Sequence, residues 1–249
     1  MPLLSVVVPT YNEAENIGML VGRVTSALAG LNFEVVFVDD STDGTERVIA
    51  ELAQSAPRLR IVHRTNRRGL ASAVADGIAL STGDVICVLD ADLQHPPEAM
   101  RVLMDGLERT RADLAIASRY LPGGSYDFTL ARRIVSRVAT ALAWLLVRRA
   151  RSVSDPLSGF FAFRRSVVDG VHLQPIGFKI LLEILVRGHV GRVVEVPYRF
   201  GARGAGKSKL TQAQHIDYLR HLFMLSTVRA PIVQRVTYAA GPRGNPAIG

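Results

Sequence analysis

Short apolar runs alternate with longer amphipathic stretches along most of this chain. Residues 4–8, 34–38, 85–89 and 114–117 are nearly continuous apolar runs of strand length. Residues 14–28, the stretch from 45, and residues 70–80 and 97–107 instead space their apolar positions at helical period. A further short strand is expected near residues 60–62. Strands alternating with helices form βαβ units, and strands without polar alternation are covered on both faces. The pattern therefore predicts an α/β fold, with a mostly parallel central sheet and helices on both faces.

The second half changes character. Residues 129–149 predict a basic amphipathic helix, 159–164 a strand, 178–187 a helix, 193–196 a strand, and 212–228 a second amphipathic helix. The expected organisation is one main domain over residues 1–211, a C-terminal amphipathic helix within 212–238, and a Gly/Pro-rich tail over 239–249. There is no internal repeat.

Composition narrows the partners. With 249 residues the chain fits one large domain, and its net charge of +8 favours an anionic partner. Nucleic acid, an acidic membrane surface and a phosphorylated substrate all qualify. Aromatic residues are only 6% and are not interleaved with basic ones, which argues against a stacking platform for nucleic acid. The single cysteine, Cys87, lies inside an apolar strand, so it reads as a small buried hydrophobe and no disulfide can form within the chain. The apolar stretch at 138–147, with Thr140 inside it, is far short of the ~20 residues that span a bilayer. The first strand has no basic segment before it, so no signal peptide is expected. These features predict a cytoplasmic protein, peripheral at the cytosolic face of a membrane.

Candidate chemistry sits at strand ends, where open α/β sheets bind ligands. The run from Val85 to Leu89 ends in Asp90-Ala91-Asp92-Leu93-Gln94. Two carboxylates and an amide suit a hard divalent ion such as Mg²⁺ or Mn²⁺, which keeps waters and bridges substrate phosphates. Asp90 and Asp92 share a side only if the chain is still extended there. The first strand leaves through Pro9-Thr10-Tyr11-Asn12-Glu13, where Pro9 is expected to end the ladder and Tyr11 and Glu13 offer a ring and a carboxylate to a base. The second leaves through Val38-Asp39-Asp40-Ser41-Thr42-Asp43-Gly44-Thr45, where one of the paired carboxylates can accept from a base or ribose. On the basic helix Arg132 and Ser136 share a face, with Arg133 and Arg137 beside them, and a guanidinium and a hydroxyl one turn apart can grip a phosphate. Ile134, Val138, Leu142 and Leu145 form the other face, suited to a membrane interface or to core packing. Gly201-Ala202-Arg203-Gly204-Ala205-Gly206-Lys207-Ser208 matches the phosphate-binding loop of NTPases. Too little chain follows it to complete a Mg²⁺ site of that kind.

Taken together, Pro-x-Tyr-Asn-Glu, Asp-Asp-x-Thr-Asp-Gly-Thr and Asp-Ala-Asp resemble the family 2 glycosyltransferases, whose fold is called GT-A. The segments from Asp90 to Pro97, Ala117 to Tyr120, Asp155 to Phe161 and Gly177 to Glu183 look like the polyprenyl-phosphate (dolichyl-phosphate) mannose synthases within it. The resemblance covers residues 4–211. It implies an inverting transfer of mannose from GDP-mannose to a polyprenyl or dolichyl phosphate, the sibling alternative being UDP-glucose or another UDP-sugar. It implies donor contacts at Pro9, Tyr11, Glu13, Val38, Asp40, Asp90, Ala91, Asp92, Gln94, Arg119, Arg203 and Lys209, with Asp92 and Gln94 holding the metal. Asp90, Asp92 and Arg119 are the candidate catalytic residues, and Ser208 joins Arg132, Arg133, Ser136 and Arg137 as a candidate for the acceptor phosphate. The lack of a stretch long enough to span a bilayer makes a separate membrane-anchoring protein a candidate partner. The turn after Asp40 is one residue shorter than the family's usual one, which leaves guanine and uracil open.

Overall fold

The computed structural model describes residues 2–66, 69–126, 130–201 and 212–238. In chain order the elements are β1 (Leu4–Thr10), α1 (Ala14–Ala27), β2 (Phe33–Asp39), α2 (Thr45–Ser55), β3 (Leu59–His63), α3 (Leu70–Leu80) and β4 (Val85–Val88). A short 3₁₀ turn at Pro97–Ala99 leads into α4 (Met100–Thr110), then β5 (Leu114–Ser118), β6 (Ser125–Tyr126) and α5 (Leu130–Leu146). There follow β7 (Phe161–Arg164), α6 (Ile180–Arg187), β8 (Arg192–Pro197), β9 (Arg199–Phe200), α7 (Gln212–Ser226) and β10 (Gln234–Val236).

The central sheet has eight strands in the order β10-β8-β5-β7-β4-β1-β2-β3. All its pairings are parallel except those of β7, which runs antiparallel between β4 and β5. Strand β1 is central, flanked by β2 and β4. The chain winds outward through β2 and β3 on one side, then returns to β4 on the other, so the strand order switches direction beside β1. Ligands bind above such a switch, at the carboxyl ends of the strands.

Alternation along each strand feeds two cores. Leu4, Val6 and Val8 pack with Ile17 and Leu20 of α1, Ile49 of α2 and Leu103 of α4 on one face. Val7, Ile86 and Val88 pack with Val74 and Ile78 of α3 and Ile184 of α6 on the other. A strand buried on both faces needs apolar residues at every position, which is why the runs in the sequence show no polar alternation. Cys87 lies in the first of these cores, and burial pushes its thiol far up, so it is inert packing. A third core joins α5, α6 and α7 through Ala143, Leu182, Val186, Tyr218 and Leu222.

Several boundaries differ from the sequence expectation. Pro9 does not end the ladder with β2, which continues to Thr10 opposite Asp39; pairing stops at Val7 only on the β4 side. Proline removes one donor, and the far edge of the strand does not use it. Strand β4 ends at Val88, so Asp90 and Asp92 leave the sheet on a turn instead of an extended chain. The basic helix ends at Leu146 and passes into a 3₁₀ segment, Arg148–Ser152, whose Arg149 donates to the carbonyls of Leu185, Val190 and Pro231. Helix α7 ends at Ser226, and the chain returns as β10 to pair with β8, an edge strand that the hydrophobic pattern did not reveal. Among the described residues no helix is long and apolar enough to cross a membrane.

Candidate active site

A cavity of about 690 Å³ opens above β1, β2 and β4, lined by Pro9, Tyr11, Glu13, Asp40, Asp90 and Asp92 among others. Each lining loop has a local reason for its shape. Asn12 adopts a left-handed φ of 53°, a conformation asparagine tolerates. Its backbone N–H donates to Ser41 Oγ at 2.8 Å, and its side-chain oxygen accepts from the Thr42 N–H at 2.9 Å. The first two loops are thereby stitched together. Asp43 accepts from the Thr45 N–H at 3.0 Å, which satisfies a donor at the start of α2.

The two carboxylates after β2 divide their work. Asp39 is fully buried and accepts from Thr10 Oγ1 at 2.6 Å, with His63 Nδ1 at 2.7 Å, so it holds strand ends together. Asp40 lines the cavity, but Arg64 grips it with two bonds of 2.7 and 2.6 Å, and the Gly69 N–H adds a third at 2.9 Å. Arg64 also reaches Asp76 at 2.8 Å. Burial alone would lower the guanidinium's pKa, yet Asp40 and Asp76 outweigh it and raise it. Asp40 thus faces the cavity as part of an ion-paired cluster. Val38 is different: its side chain packs with Val36 and Ala73 in the core and does not line the cavity.

The third loop carries the acidic set. Leu93 adopts a φ of 63°, a strained conformation for a leucine, and strain of this kind gathers at functional sites. It turns the chain between Asp92, whose Oδ1 accepts the Gln94 N–H at 3.1 Å, and Gln94 itself. The Gln94 Nε2 donates to the Gly201 carbonyl at 3.1 Å, and a side-chain amide ligates a cation through its oxygen. Asp90, Ala91, Asp92 and Gln94 all line the cavity. Among the described residues no cluster of three or more His, Cys, Asp or Glu side chains could hold an ion by itself. A carboxylate and an amide oxygen fit a hard ion that fills its shell with water and phosphate.

The same cavity also has cationic lining residues. Arg119 lines the cavity, but its Nε and Nη2 each donate to the buried Asp155 at 2.8 Å. Its guanidinium also lies 5.5 Å from the Tyr120 ring and 5.8 Å from the Phe200 ring. Lys179, just before α6, donates to the Leu157 carbonyl at 2.9 Å and sits over the Phe178 ring at 4.7 Å. Burial, with Arg119 nearby, pushes its ammonium down to about 8. Arg132 of α5 lines the same cavity, while Ser136 lies 3.0 Å from the Tyr120 hydroxyl. Arg133 and Arg137 are exposed and do not line it. Arg203, Ser208 and Lys209 lie outside the described residues, as does the NTPase-like loop beyond Gly201.

Residues 5–171 match the model of glycosyl transferase family 2. The chain belongs to that family. Among its relatives, the dolichol-phosphate mannosyltransferase of Pyrococcus furiosus is 46% identical over 224 residues, covering 89% of this chain. This chain spans 63% of that longer protein. The dolichol-phosphate mannosyltransferase of Saccharomyces cerevisiae is 37% identical, over 88% of this chain and 85% of its own length. The polyprenol monophosphomannose synthase of Mycolicibacterium smegmatis is 36% identical, over 83% of this chain and 80% of its own. A solved structure of glucosyl-3-phosphoglycerate synthase from Mycobacterium tuberculosis, with Mn²⁺, UDP-glucose and phosphoglyceric acid, superposes with a TM-score of 0.69 at 21% identity. It covers 92% of this chain and 81% of its own, which establishes a GT-A-like fold for this family 2 chain.

Arg64, His95 and Lys179 had no role assigned from the sequence. Lys179 and His95 both lie inside segments that carry the family resemblance, but only position against the cavity marks them. Arg64 follows β3 in an ordinary polar turn, and no local signal distinguishes it from the neighbouring arginines.

Proposed function

We propose that this family 2 chain transfers mannose from GDP-mannose to a polyprenyl monophosphate of the dolichyl type, with inversion, at the cytosolic face of a membrane. One observation carries the reading. A single cavity at the sheet's switch point is lined by Asp90, Asp92 and Gln94 and also by Arg119, Arg132 and Lys179. The first set suits a metal-bound nucleoside diphosphate, and the second suits a second phosphate. The names of the relatives from three organisms supply the sugar and the lipid.

The chemistry asks for little proton transfer. A phosphate monoester is ionised at neutral pH, so its oxygen attacks the sugar carbon directly as the bond to the diphosphate breaks. The cost lies in bringing two anions together and in the charge that grows on the departing diphosphate. Arg132 and Lys179 meet the acceptor phosphate and offset that repulsion. Arg119, held at the wall by Asp155, adds positive potential beside the leaving group, with Arg203 and Lys209 in the same role. Tyr11, Glu13 and Asp40 hold the base and ribose, and Asp90 orients a hydroxyl of the donor. Mg²⁺ or Mn²⁺ held by Asp92 and Gln94 would supply further positive charge to the diphosphate.

The acceptor is a lipid, and the surface suits one. On α5 Leu130, Ile134, Val138 and Leu145 are 74, 54, 53 and 67% exposed, and on α7 Ile216, Leu219 and Phe223 are also exposed. The two helices are tied by the Tyr218 hydroxyl donating to the Ala139 carbonyl at 2.7 Å. Exposed apolar rows beside Arg133 and Arg137, on a chain of net charge +8, fit an anionic membrane interface.

The deciding experiment supplies radiolabelled GDP-mannose or UDP-glucose with polyprenyl phosphate, with Mg²⁺, Mn²⁺ or chelator. Label from GDP-mannose in the lipid fraction, lost with chelator and in Asp92→Ala, is expected. Label only from UDP-glucose would move the donor to the sibling sugar, and an active Asp92→Ala would remove the metal role.

A further inference from the structure

Behind Asp90, three side chains form a hydrogen-bonded row. The Tyr198 hydroxyl, between β8 and β9, lies 3.1 Å from His95 Nδ1, and His95 Nε2 lies 3.2 Å from Asp90 Oδ2. Tyr198 and His95 are buried, whereas Asp90 is partly exposed to the cavity. The imidazole is walled in by aromatic rings, with centroids at 5.4 Å for Phe160, 5.7 Å for Tyr198 and 5.0 Å for Phe200. Gly159 closes the junction from the other side: a Cβ there would stand 3.0 Å from Asp90 Oδ2 and 3.3 Å from His95 Nε2. Any larger residue would displace the carboxylate or the ring.

One direction along the row is self-consistent. Burial pushes the Tyr198 phenol far up, so its hydroxyl keeps its proton and can donate. An imidazole whose Nδ1 accepts that bond carries its own proton on Nε2, which faces Asp90. Among the described residues Asp90 accepts no other hydrogen bond. A short carboxylate on a turn would otherwise sample several rotamers.

We propose that Tyr198 and His95 are positioning residues for Asp90, a relay that fixes the His95 tautomer and thereby aims the Asp90 carboxylate at a hydroxyl of the bound sugar nucleotide. The aiming rests on the donor-site reading above; the relay itself does not. His95 acts through Asp90 and needs no change of protonation during transfer. Its value lies in geometry, since a displacement of about 1 Å at a reacting centre can cost on the order of 100-fold in rate.

Two independent readouts test it on the full chain. Long-range ¹H–¹⁵N correlation of the ¹⁵N-histidine protein should show His95, assigned by its loss in His95→Gln, as a single Nε2–H tautomer. Tyr198→Phe should mix the tautomers. An Nδ1–H tautomer, or a spectrum indifferent to Tyr198→Phe, would overturn the relay. In transfer assays, His95→Phe should lower kcat by on the order of 100-fold while nucleoside diphosphate affinity is retained. His95→Gln, whose amide can still donate to Asp90, should recover part of that loss. In an Asp90→Asn background His95→Phe should cost little more. Equal losses in His95→Phe and His95→Gln, or full additivity with Asp90→Asn, would leave His95 as packing only and sink the proposal. If the unmodified protein transfers no sugar, the donor reading fails, and the tautomer measurement still decides the relay.

Discussion

Asp155 holds Arg119 at the cavity wall through two parallel bonds of 2.8 Å, and its carboxylate also accepts the Arg119 backbone N–H at 3.2 Å. The carboxylate is fully buried, and the arginine side chain nearly so. Removing one partner of a buried pair strands the other charge, at about 3–5 kcal/mol. Asp155→Ala should therefore destabilise by that order in urea unfolding. Arg119→Met combined with Asp155→Ala should regain much of the stability without regaining transfer. A stable, active Asp155→Ala would show that the pair carries neither load.

Arg132→Ala should separate the two substrates. A charge-assisted bond to phosphate contributes about 1.5–3 kcal/mol, so the KM for polyprenyl phosphate should rise by roughly 10- to 100-fold. Nucleoside diphosphate affinity, measured by calorimetry with Mg²⁺, should stay as it was. Parallel losses of both would assign Arg132 to the donor.

Lys179 predicts a pH signature. Its ammonium is pushed down to about 8, mainly by burial, so acceptor affinity should fall as pH rises through that value. Lys179→Arg should carry affinity past pH 9 undiminished, because arginine stays charged. Stability moves the other way. Between about 8 and the unfolded value of about 10.4 the unfolded chain binds more protons at this site, so the Lys179 contribution to stability increases with pH. Opposite slopes for acceptor binding and for stability distinguish this lysine from a surface one.

The apolar rows on α5 and α7 predict membrane partition. Leu145 and Phe223 are 67 and 74% exposed, and burying such a side chain contributes about 1.5–3 kcal/mol. Leu145→Asp with Phe223→Asp should weaken co-sedimentation with phosphatidylglycerol vesicles by on the order of 100-fold. Transfer to a short, water-soluble prenyl phosphate should persist. Unchanged sedimentation would mean that another surface meets the lipid.

Much of the architecture was legible because strand and helix periods are local. Helix α3 matches its expected bounds of 70–80, and β1, β2, β4 and β5 lie within a residue or two of theirs. Strand β10 was not legible, since three residues with two exposed side chains carry no apolar period. Its pairing with β8 comes from chain geometry. The site shows the same division. The Asp-x-Asp-x-Gln turn could be picked out from residue types alone, and it lines the cavity. That Asp39 is buried structure while Asp40 faces the cavity could not, because adjacent carboxylates look alike until the fold buries one of them.

The sequence by itself determined the α/β plan, the loops that carry chemistry and the excess of positive charge, since these follow from period, residue type and composition. Only the tertiary structure decided which groups are spent and which are offered. Arg119 is tied to a residue 36 positions away, Asp40 to one 24 away, and His95 to one 103 away. Desolvation and hydrogen bonding between such distant residues set a charge's strength, and that setting does not exist until the strands close.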